Sequence, residues 1–526
     1  MRFVDNILAA LKAPGKRQIV QEAAPTQAIP TIRDQEEKKE SVAVSVDSDT
    51  THDSKYDISL RHGRLDRWLD IVVCWSGSGP VFFFIIAFLF GWAFAGIHFY
   101  DNIQWQISMS NIQAIVSYMF DSLLMRQQLN SHDEALLVAA QLRSRGVSHR
   151  RMLAQIVQAK AAGEQVSVPR EDVEPDFKLD LPAESWFGRM VTRFAVVVGH
   201  IVTIGLYWAA IIVWLAFGPA NGFSDEWQLY INSATSALMV FVFSFLANIR
   251  ERHSKYTRTC FEATFLVDTY LERRLRQVTG DSIPNDVVII EPPKVNFLQR
   301  AIYYYADVVG TLVGIALLII VMVAWLAIGP VLHFNDNWWL LIGTYAGLIG
   351  LNDGFVLRNV QAKLQDFETA QFAHFEADDE SLLELINETP TTTLPGRMSL
   401  SSRISLAVGK FCAHEMTVLA GVLVIFALVA ASSAMRWSTT GEFSFTPNTK
   451  TSIRRQCHLS MSKSALTINA TGQLISNVPP SIIESFFMII LITGHNFADS
   501  ERRDQIKNMY ERRLKLVDWL RSLDQA

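Results

Sequence analysis

Residues 199–227 read GHIVTIGLYWAAIIVWLAFGPANGFSDEW. An apolar run ends at Gly218-Pro219, crosses a link without Lys or Arg, and leads through Trp227 into a second apolar run. The landmarks recur. Gly199, Trp214, Gly218 and Trp227 match Gly77, Trp92, Gly96 and Trp105 upstream, and Gly310, Trp325, Gly329 and Trp338 downstream. The offsets are 15, 19 and 28 residues each time, with no gap. Two apolar runs around a tight polar link are the pattern of a transmembrane hairpin, here repeated. Internal duplication of such hairpins points to a transporter.

Half of the 526 residues are apolar and mean hydropathy is +0.18, high for a soluble chain. The apolar residues gather into eight runs long enough to cross roughly 30 Å of hydrocarbon. They are Pro80–Tyr100, Gln106–Met125, Phe194–Phe217, Gln228–Ala247, Asp307–Ile328, Trp339–Leu357, Cys412–Met435 and Val478–Gly494. Met1–Asp70 holds no apolar core ending in a cleavage site, so the first membrane helix is expected to act as the targeting signal. The links 101–104, 219–226 and 330–337 lack Lys and Arg, whereas the long connections carry Arg143, Arg145, Arg150, Arg151, Arg250, Arg252, Lys255, Arg258, Arg358 and Lys363. Basic residues beside spans stay inside. Both termini and the three long connections are therefore expected in the cytoplasm. The four cysteines (Cys74, Cys260, Cys412, Cys457) have no metal-finger or disulfide spacing.

The expected fold is an all-α, polytopic integral membrane protein: about eight transmembrane helices as four hairpins, with charged cytosolic helices between them. Residues 1–60 read as a disordered cytosolic tail. Hairpin 1 occupies 67–130, a cytosolic loop 131–185, and hairpin 2 with a cytosolic helix 186–290. Hairpin 3 with its helix occupies 300–390, and hairpin 4 with a C-terminal helix 400–526. The segments Glu251–Arg276, Gln361–Ile386 and Asp499–Leu523 have apolar residues at helical spacing and read as continuations of each second membrane helix. Solvated linkers are the alternative. In the fourth repeat Ala413-His414 matches Gly199-His200, but 31 extra residues, Glu442–Gly472, precede Gln473-Leu474, the match to Gln228-Leu229. The ends of this polar insertion can be encoded by splice-donor and acceptor strings, so it reads as a retained intron. A genuine extracellular insertion, with Asn469-Ala470-Thr471 as a glycosylation sequon, is the alternative.

Ionisable groups inside hydrocarbon are costly and need a reason. Asp121 lies 16 residues past Trp105 and Asp353 lies 15 past Trp338, while Glu484 lies 12 past Gly472. Asp121 and Asp353 are expected at nearly one depth, with Glu484 about one turn closer to the outside, and the three form a candidate cation site. Snorkelling at helix ends is the bland alternative. The second repeat offers only Phe241–Ser244 there. His200 and His414 occupy equivalent places in odd-numbered spans, and imidazole with carboxylates suits iron(II) and its neighbours better than sodium or potassium. Either histidine could instead be a packing residue. Asp225, Glu226 and Asp336 lie in the outer links, where they would gather cations at an entrance or cap the following helices. The paired tryptophans are expected in the interfacial aromatic belt. His495 and Asp499, four apart, could receive a departing cation or be an ordinary polar helix end. No phosphate loop, nucleotide fingerprint, zinc-protease helix or nucleophile elbow occurs, and neither a cofactor nor a nucleic-acid partner is expected.

Phe217-Gly218-Pro219, then Phe223-Ser224-Asp225-Glu226-Trp227-Gln228-Leu229 with Ile231-Asn232-Ser233, resembles the signature of the low-affinity iron permease family. Ser76-Gly77-Ser78-Gly79-Pro80 fits the fungal pattern, while repeats one and four depart from the wording with Trp105-Gln106-Ile107 and Gly472-Gln473-Leu474. The resemblance covers about 60–526 apart from the insertion. It implies several hairpin units, a multi-pass protein of the plasma membrane, and low-affinity transport of iron(II) with broad divalent selectivity. Its partners would be divalent metal ions and the lipid bilayer, and a homo-oligomer stays open. Rivals are a zinc or copper transporter of the same build, and a membrane scaffold or sensor that uses its cytosolic helices.

Overall fold

The computed structural model describes residues 17, 19–27, 64–100, 102–164, 175, 177–334, 336–389, 399–434 and 472–523. A short strand β1 (Val20–Glu22) precedes helices α1 (Arg64–Ser76), α2 (Gly79–Phe99) and α3 (Ile103–Ala161). The second set is α4 (Trp186–Val198), α5 (Ile201–Ala216) and α6 (Asp225–Thr279), followed by strand β2 (Val288–Ile290). The third is α7 (Phe297–Gly310), α8 (Leu312–Ile328) and α9 (Asp336–Leu385), and the fourth α10 (Leu400–Cys412), α11 (Glu415–Ala434) and α12 (Gly472–Ser522). The repeating unit is thus three helices. A short amphipathic helix leads into an apolar one, which turns back into a very long one. The short helices leave an apolar stripe uncovered, such as Leu65, Trp68, Ile71 and Trp75 on α1 or Trp186, Met190, Phe194 and Val197 on α4. That stripe suits a helix lying along a membrane surface.

The four long helices form a ring in the order α3, α6, α12, α9, each packed on its two neighbours. At about 1.5 Å per residue they run some 75 to 90 Å. Their first halves pack as an apolar bundle with Phe120, Met239, Phe243, Leu351, Phe355 and Met488 in its core. The second halves continue without a break into a bundle with a polar surface. The segment read as a loop at 131–185 is therefore helical as far as Ala161; its apolar residues Ala139, Leu142, Met152, Leu153 and Ile156 are core positions of that bundle. Part of the tail expected to be disordered is also ordered. β1 pairs antiparallel with β2, Val20 opposite Ile290, and the backbone beyond it is held by Ser144 Oγ, which accepts from Ala24 N at 3.0 Å, and by Arg145, which donates to Pro25 O at 3.0 Å.

The ruler residues have distinct structural tasks. The break between the short and apolar helices of each repeat rests on the inner helix of a neighbouring repeat, and in repeats one to three the first glycine sits at that contact. A Cβ at Gly77 would lie 2.7 Å from Ala247 O, and one at Gly199 3.0 Å from Thr493 Cα. The carbonyls at these breaks accept side-chain hydrogen bonds across the contact. Asn248 donates to Gly77 O (2.8 Å), Thr493 to Gly199 O (2.8 Å) and Asn359 to Ala413 O (2.7 Å). The breaks bend α4–α5 by 51° and α7–α8 by 64°. The spans read as continuous through Phe194–Phe217 and Asp307–Ile328 are therefore each divided, as is Cys412–Met435 between α10 and α11. Gly199→Leu is expected to cost about 1–3 kcal/mol by overpacking; a lowered melting temperature in detergent checks it, and an unchanged one would refute this role.

The tryptophans do not stand as lipid-facing anchors. Trp92 stacks on Trp105, Trp214 on Trp227 and Trp325 on Trp338, at centroid distances of 4.4, 3.9 and 4.0 Å. In the third pair each indole N–H donates to the other residue's carbonyl, at 2.9 and 2.7 Å. These pairs lock the first three hairpins. In repeats two and three the link closes through Phe223 and Phe334, both at positive φ, whose rings lie against Gly218 and Gly329.

Among the described residues, four helices are long and apolar enough to cross a membrane, or six when each bent pair is one span. The described parts of α3 and α9 fall short of that test. A helix enclosed by others needs no lipid-facing apolar surface all round, and α3 spends its inward positions on Ser110, Gln113, Ser117 and Asp121. The architecture is that of a helical, multi-pass membrane protein.

Candidate cation site

The ring brings together the three acids of the membrane half. Asp121 on α3, Asp353 on α9 and Glu484 on α12 are each 1% exposed. Asp121 lies in the field of both other carboxyl groups, and Glu484 in that of Asp353. Among the described residues none of the three makes an ion pair. Both oxygens of Asp121, both of Glu484 and Oδ2 of Asp353 lack a hydrogen-bond partner. Asp353 Oδ1 alone is engaged, accepting from Tyr305 Oη on α7 at 2.6 Å. Glu484 lies against bare backbone at Gly350, where a Cβ would come within 2.6 Å of Oε1. The fourth inner helix contributes Val242 and Phe243 at this depth, both buried, and Ser244, whose hydroxyl is turned back to Phe241 O at 2.9 Å.

Buried carboxylates without hydrogen bonds or counter-charges are strongly disfavoured, so each of these groups must be either protonated or balanced by a cation. Oxygen donors select hard or borderline divalent ions. Among the described residues no group of three or more His, Cys, Asp or Glu has the geometry to hold a metal. The three acids share a field without a ready coordination shell.

A polar ladder leads from the hairpin turns to the acids. Asn232 donates to Ser110 Oγ (3.0 Å), Gln113 to Ser117 Oγ (2.8 Å), and the hydroxyls of Thr235 and Ser481 lie 3.1 Å apart. Sequence reasoning did not single out this ladder, although Asn232 stands within the signature Ile231-Asn232-Ser233. Its signal was the three- and four-residue spacing of Ser110, Gln113 and Ser117, and of Asn232, Thr235 and Ser236, inside otherwise apolar runs.

The histidines are placed elsewhere. His200 and His414 cap α5 and α11, their Nδ1 atoms accepting from Val202 N (3.3 Å) and Met416 N (3.2 Å). Their neighbours Gly199 and Ala413 pack on Thr493 and Asn359, nine and six residues past Glu484 and Asp353, or roughly 13 and 9 Å along the helix. Of the outer acids, Glu226 is exposed and accepts from Tyr230 Oη at 2.9 Å. Asp225 and Asp336 begin α6 and α9, but their side chains lie outside the described residues. The cap of α6 is Ser224, whose Oγ accepts from Trp227 N at 3.3 Å. Deeper in the polar half, His253 Nδ1 lies 3.0 Å from His495 Nε2 and 3.2 Å from Asp499 Oδ2. Asp499 is itself held by Arg503 at 2.6 Å. The insertion Glu442–Gly472 lies outside the described residues except for Gly472, the first residue of α12.

A ring of membrane helices enclosing unpaired acids and a polar approach defines a membrane protein built to handle cations. The family model described as low affinity iron permease matches residues 187–260 and 457–517. The chain is 33% identical over 536 residues to the low-affinity iron/zinc ion transport protein fet4 of Schizosaccharomyces pombe, covering 99% of this chain and 86% of that protein. It is 32% identical over 500 residues to the low-affinity Fe(2+) transport protein of Saccharomyces cerevisiae, covering 89% of this chain and 85% of the other. No solved structure matches it. The chain belongs to the low-affinity iron permease family.

Proposed function

We propose that this protein carries iron(II), and with it zinc, across the plasma membrane with low affinity. The observation that supports this most is the unpaired acid cluster at the centre of the helix ring, in a family whose relatives are named for iron and zinc transport. The family is one of permeases rather than enzymes. In this reading eight segments cross the bilayer as four parallel hairpins, with the turns outside, the polar bundle and both termini in the cytoplasm, and the short helices along the inner surface. We place the hairpin units at 67–130, 186–290, 300–390 and 400–526, with the second helix of the first continuing to Ala161. A divalent ion enters along the ladder from Asn232 and Ser110, exchanges part of its water shell for Asp121, Asp353 and Glu484, and leaves toward the polar bundle. An inside-negative potential favours entry by about 4.6 kcal/mol per 100 mV for two charges, twice the single-charge value. Weak oxygen ligation permits release.

Glu442–Gly472 replaces what is a tight outer link in the other repeats. We read it as absent from the working protein. Expression with and without these residues, in cells lacking other iron uptake, tests both points by saturable iron-55(II) entry against competing zinc. Entry through the shortened chain, reduced by zinc, is expected. No entry through either chain, with surface delivery verified, would turn the reading toward a scaffold.

A further inference from the structure

Beyond the acids, on the polar side, the four inner helices enclose a cavity of about 160 Å³ lined by Gln127, Arg250, Gln361, Glu368, His495 and Asp499 among others. Three of these helices bring an arginine to its level. Arg126, Arg250 and Arg358 stand 21, 23 and 20 residues past Trp105, Trp227 and Trp338. Two are drawn outward. Arg126 pairs with Asp70 (2.7 Å) and Asp66 (3.3 Å) on α1, while Arg358 donates to Gln361 Oε1 (2.8 Å) and to Gly409 O on α10 (3.3 Å). Among the described residues Arg250 has no such tie. It is 5% exposed, its Nη1 reaches Leu124 O at 3.4 Å, and its Nε and Nη2 have no hydrogen-bond partner. Leu124 lies three residues past Asp121, less than one helical turn. The guanidinium therefore stands between the acids and the cavity, on the one inner helix that contributes no acid.

We propose that Arg250 is a positioning residue of the pathway: a fixed positive charge at the cytosolic mouth that makes access to the acid cluster unequal from the two sides. The inference rests on the cation-transport reading. An ion arriving along the polar ladder meets the three acids directly, whereas an ion arriving from the cavity, whose Glu368 and Asp499 are already paired with Arg502 and Arg503, must pass the Arg250 guanidinium to reach them. In a site walled by protein, one sign of charge depletes like-charged ions strongly. Half-saturation from the cytosolic face is thereby raised, and the metal that has left is discouraged from returning to the acids.

The test is iron(II) flux into right-side-out and inside-out vesicles carrying the full chain, with Arg250→Gln, Arg250→Lys and Gln127→Lys. Gln127 lines the same cavity. For Arg250→Gln the half-saturating concentration at the cytosolic face should fall about tenfold, with the outer value unchanged. Low-concentration flux at zero potential should rise equally in both directions, as detailed balance requires of a passive pathway. Arg250→Lys should match the parent. Gln127→Lys, which keeps Arg250, should raise the cytosolic value, so the proposal stays testable if Arg250→Gln fails to insert. Unchanged half-saturation in an inserted Arg250→Gln, an equal shift in Arg250→Lys, or no shift in Gln127→Lys would overturn it. Absence of flux in the parent would instead strike the transport reading itself.

Discussion

Asp121→Asn and Glu484→Gln should each lower saturable iron(II) uptake at least about tenfold, a loss of roughly 1.4 kcal/mol or more in stabilisation of the passing ion. Asp353→Asn should follow with a smaller loss. The ranking comes from the hydrogen bonds. Asp121 and Glu484 have both oxygens free for a cation, whereas Asp353 already spends Oδ1 on Tyr305. The removed term is the attraction between a divalent ion and a carboxylate in a water-poor site, which far exceeds its value in bulk water. Stability should move the other way. Taking an uncompensated buried charge out of an apolar bundle relieves a desolvation cost, so the melting temperature of each variant in detergent should hold or rise. Uptake per surface molecule and thermal melting, measured together, decide the matter. Full uptake in Asp121→Asn and Glu484→Gln, or uptake lost only alongside a fall in melting temperature, would remove the acids from the pathway.

Asp268→Ala should destabilise the polar bundle by about 3–5 kcal/mol, the usual cost of breaking a buried charge pair by deleting one partner. Asp268 is fully buried between two equally buried guanidiniums, Arg513 Nε at 2.8 Å and Arg145 Nη1 at 3.4 Å. Arg145 also meets Glu272 at 2.7 Å, and Arg513 meets Asp379 at 2.9 Å. One layer thus links α3, α6, α9 and α12. Burial holds the neighbouring His149 down to about 3, so it stays neutral among these charges. The layer lies between apolar sets that include Phe261, Phe372 and Ile506 on one side and Leu271, Leu382 and Val517 on the other. Four long helices could slide by a turn along a purely apolar seam; a layer of specific pairs fixes their register. Denaturant unfolding of the purified protein should show the loss in Asp268→Ala and none in the exposed Glu226→Gln. Equal stability in the two would refute this role for the layer.

The sequence carried the repeat because glycine and tryptophan act locally. Gly199 is needed where two helices touch, and Trp214 must reach Trp227 across a hairpin of fixed length, so both keep their spacing. It carried the acids because carboxylates inside apolar runs are few. It did not carry the breaks at Gly199-His200 and Gly310-Thr311, since hydropathy averages over a bend. His200 looked like a metal ligand for the same reason: only the break turns it into a cap. The order of the inner helices around the ring, α3, α6, α12, α9, depends on packing between distant residues. So did the isolation of Arg250, which emerges only when Arg126 and Arg358 are seen drawn away to other helices.

Purified protein lacking Glu442–Gly472, reconstituted in sealed vesicles under an imposed inside-negative potential, offers the most direct trial of cation passage. Iron-55(II) should enter saturably, faster as the potential is raised, and compete with zinc. Vesicles that stay impermeable to iron(II) at every potential, with protein verified as folded and inserted, would contradict the proposed function.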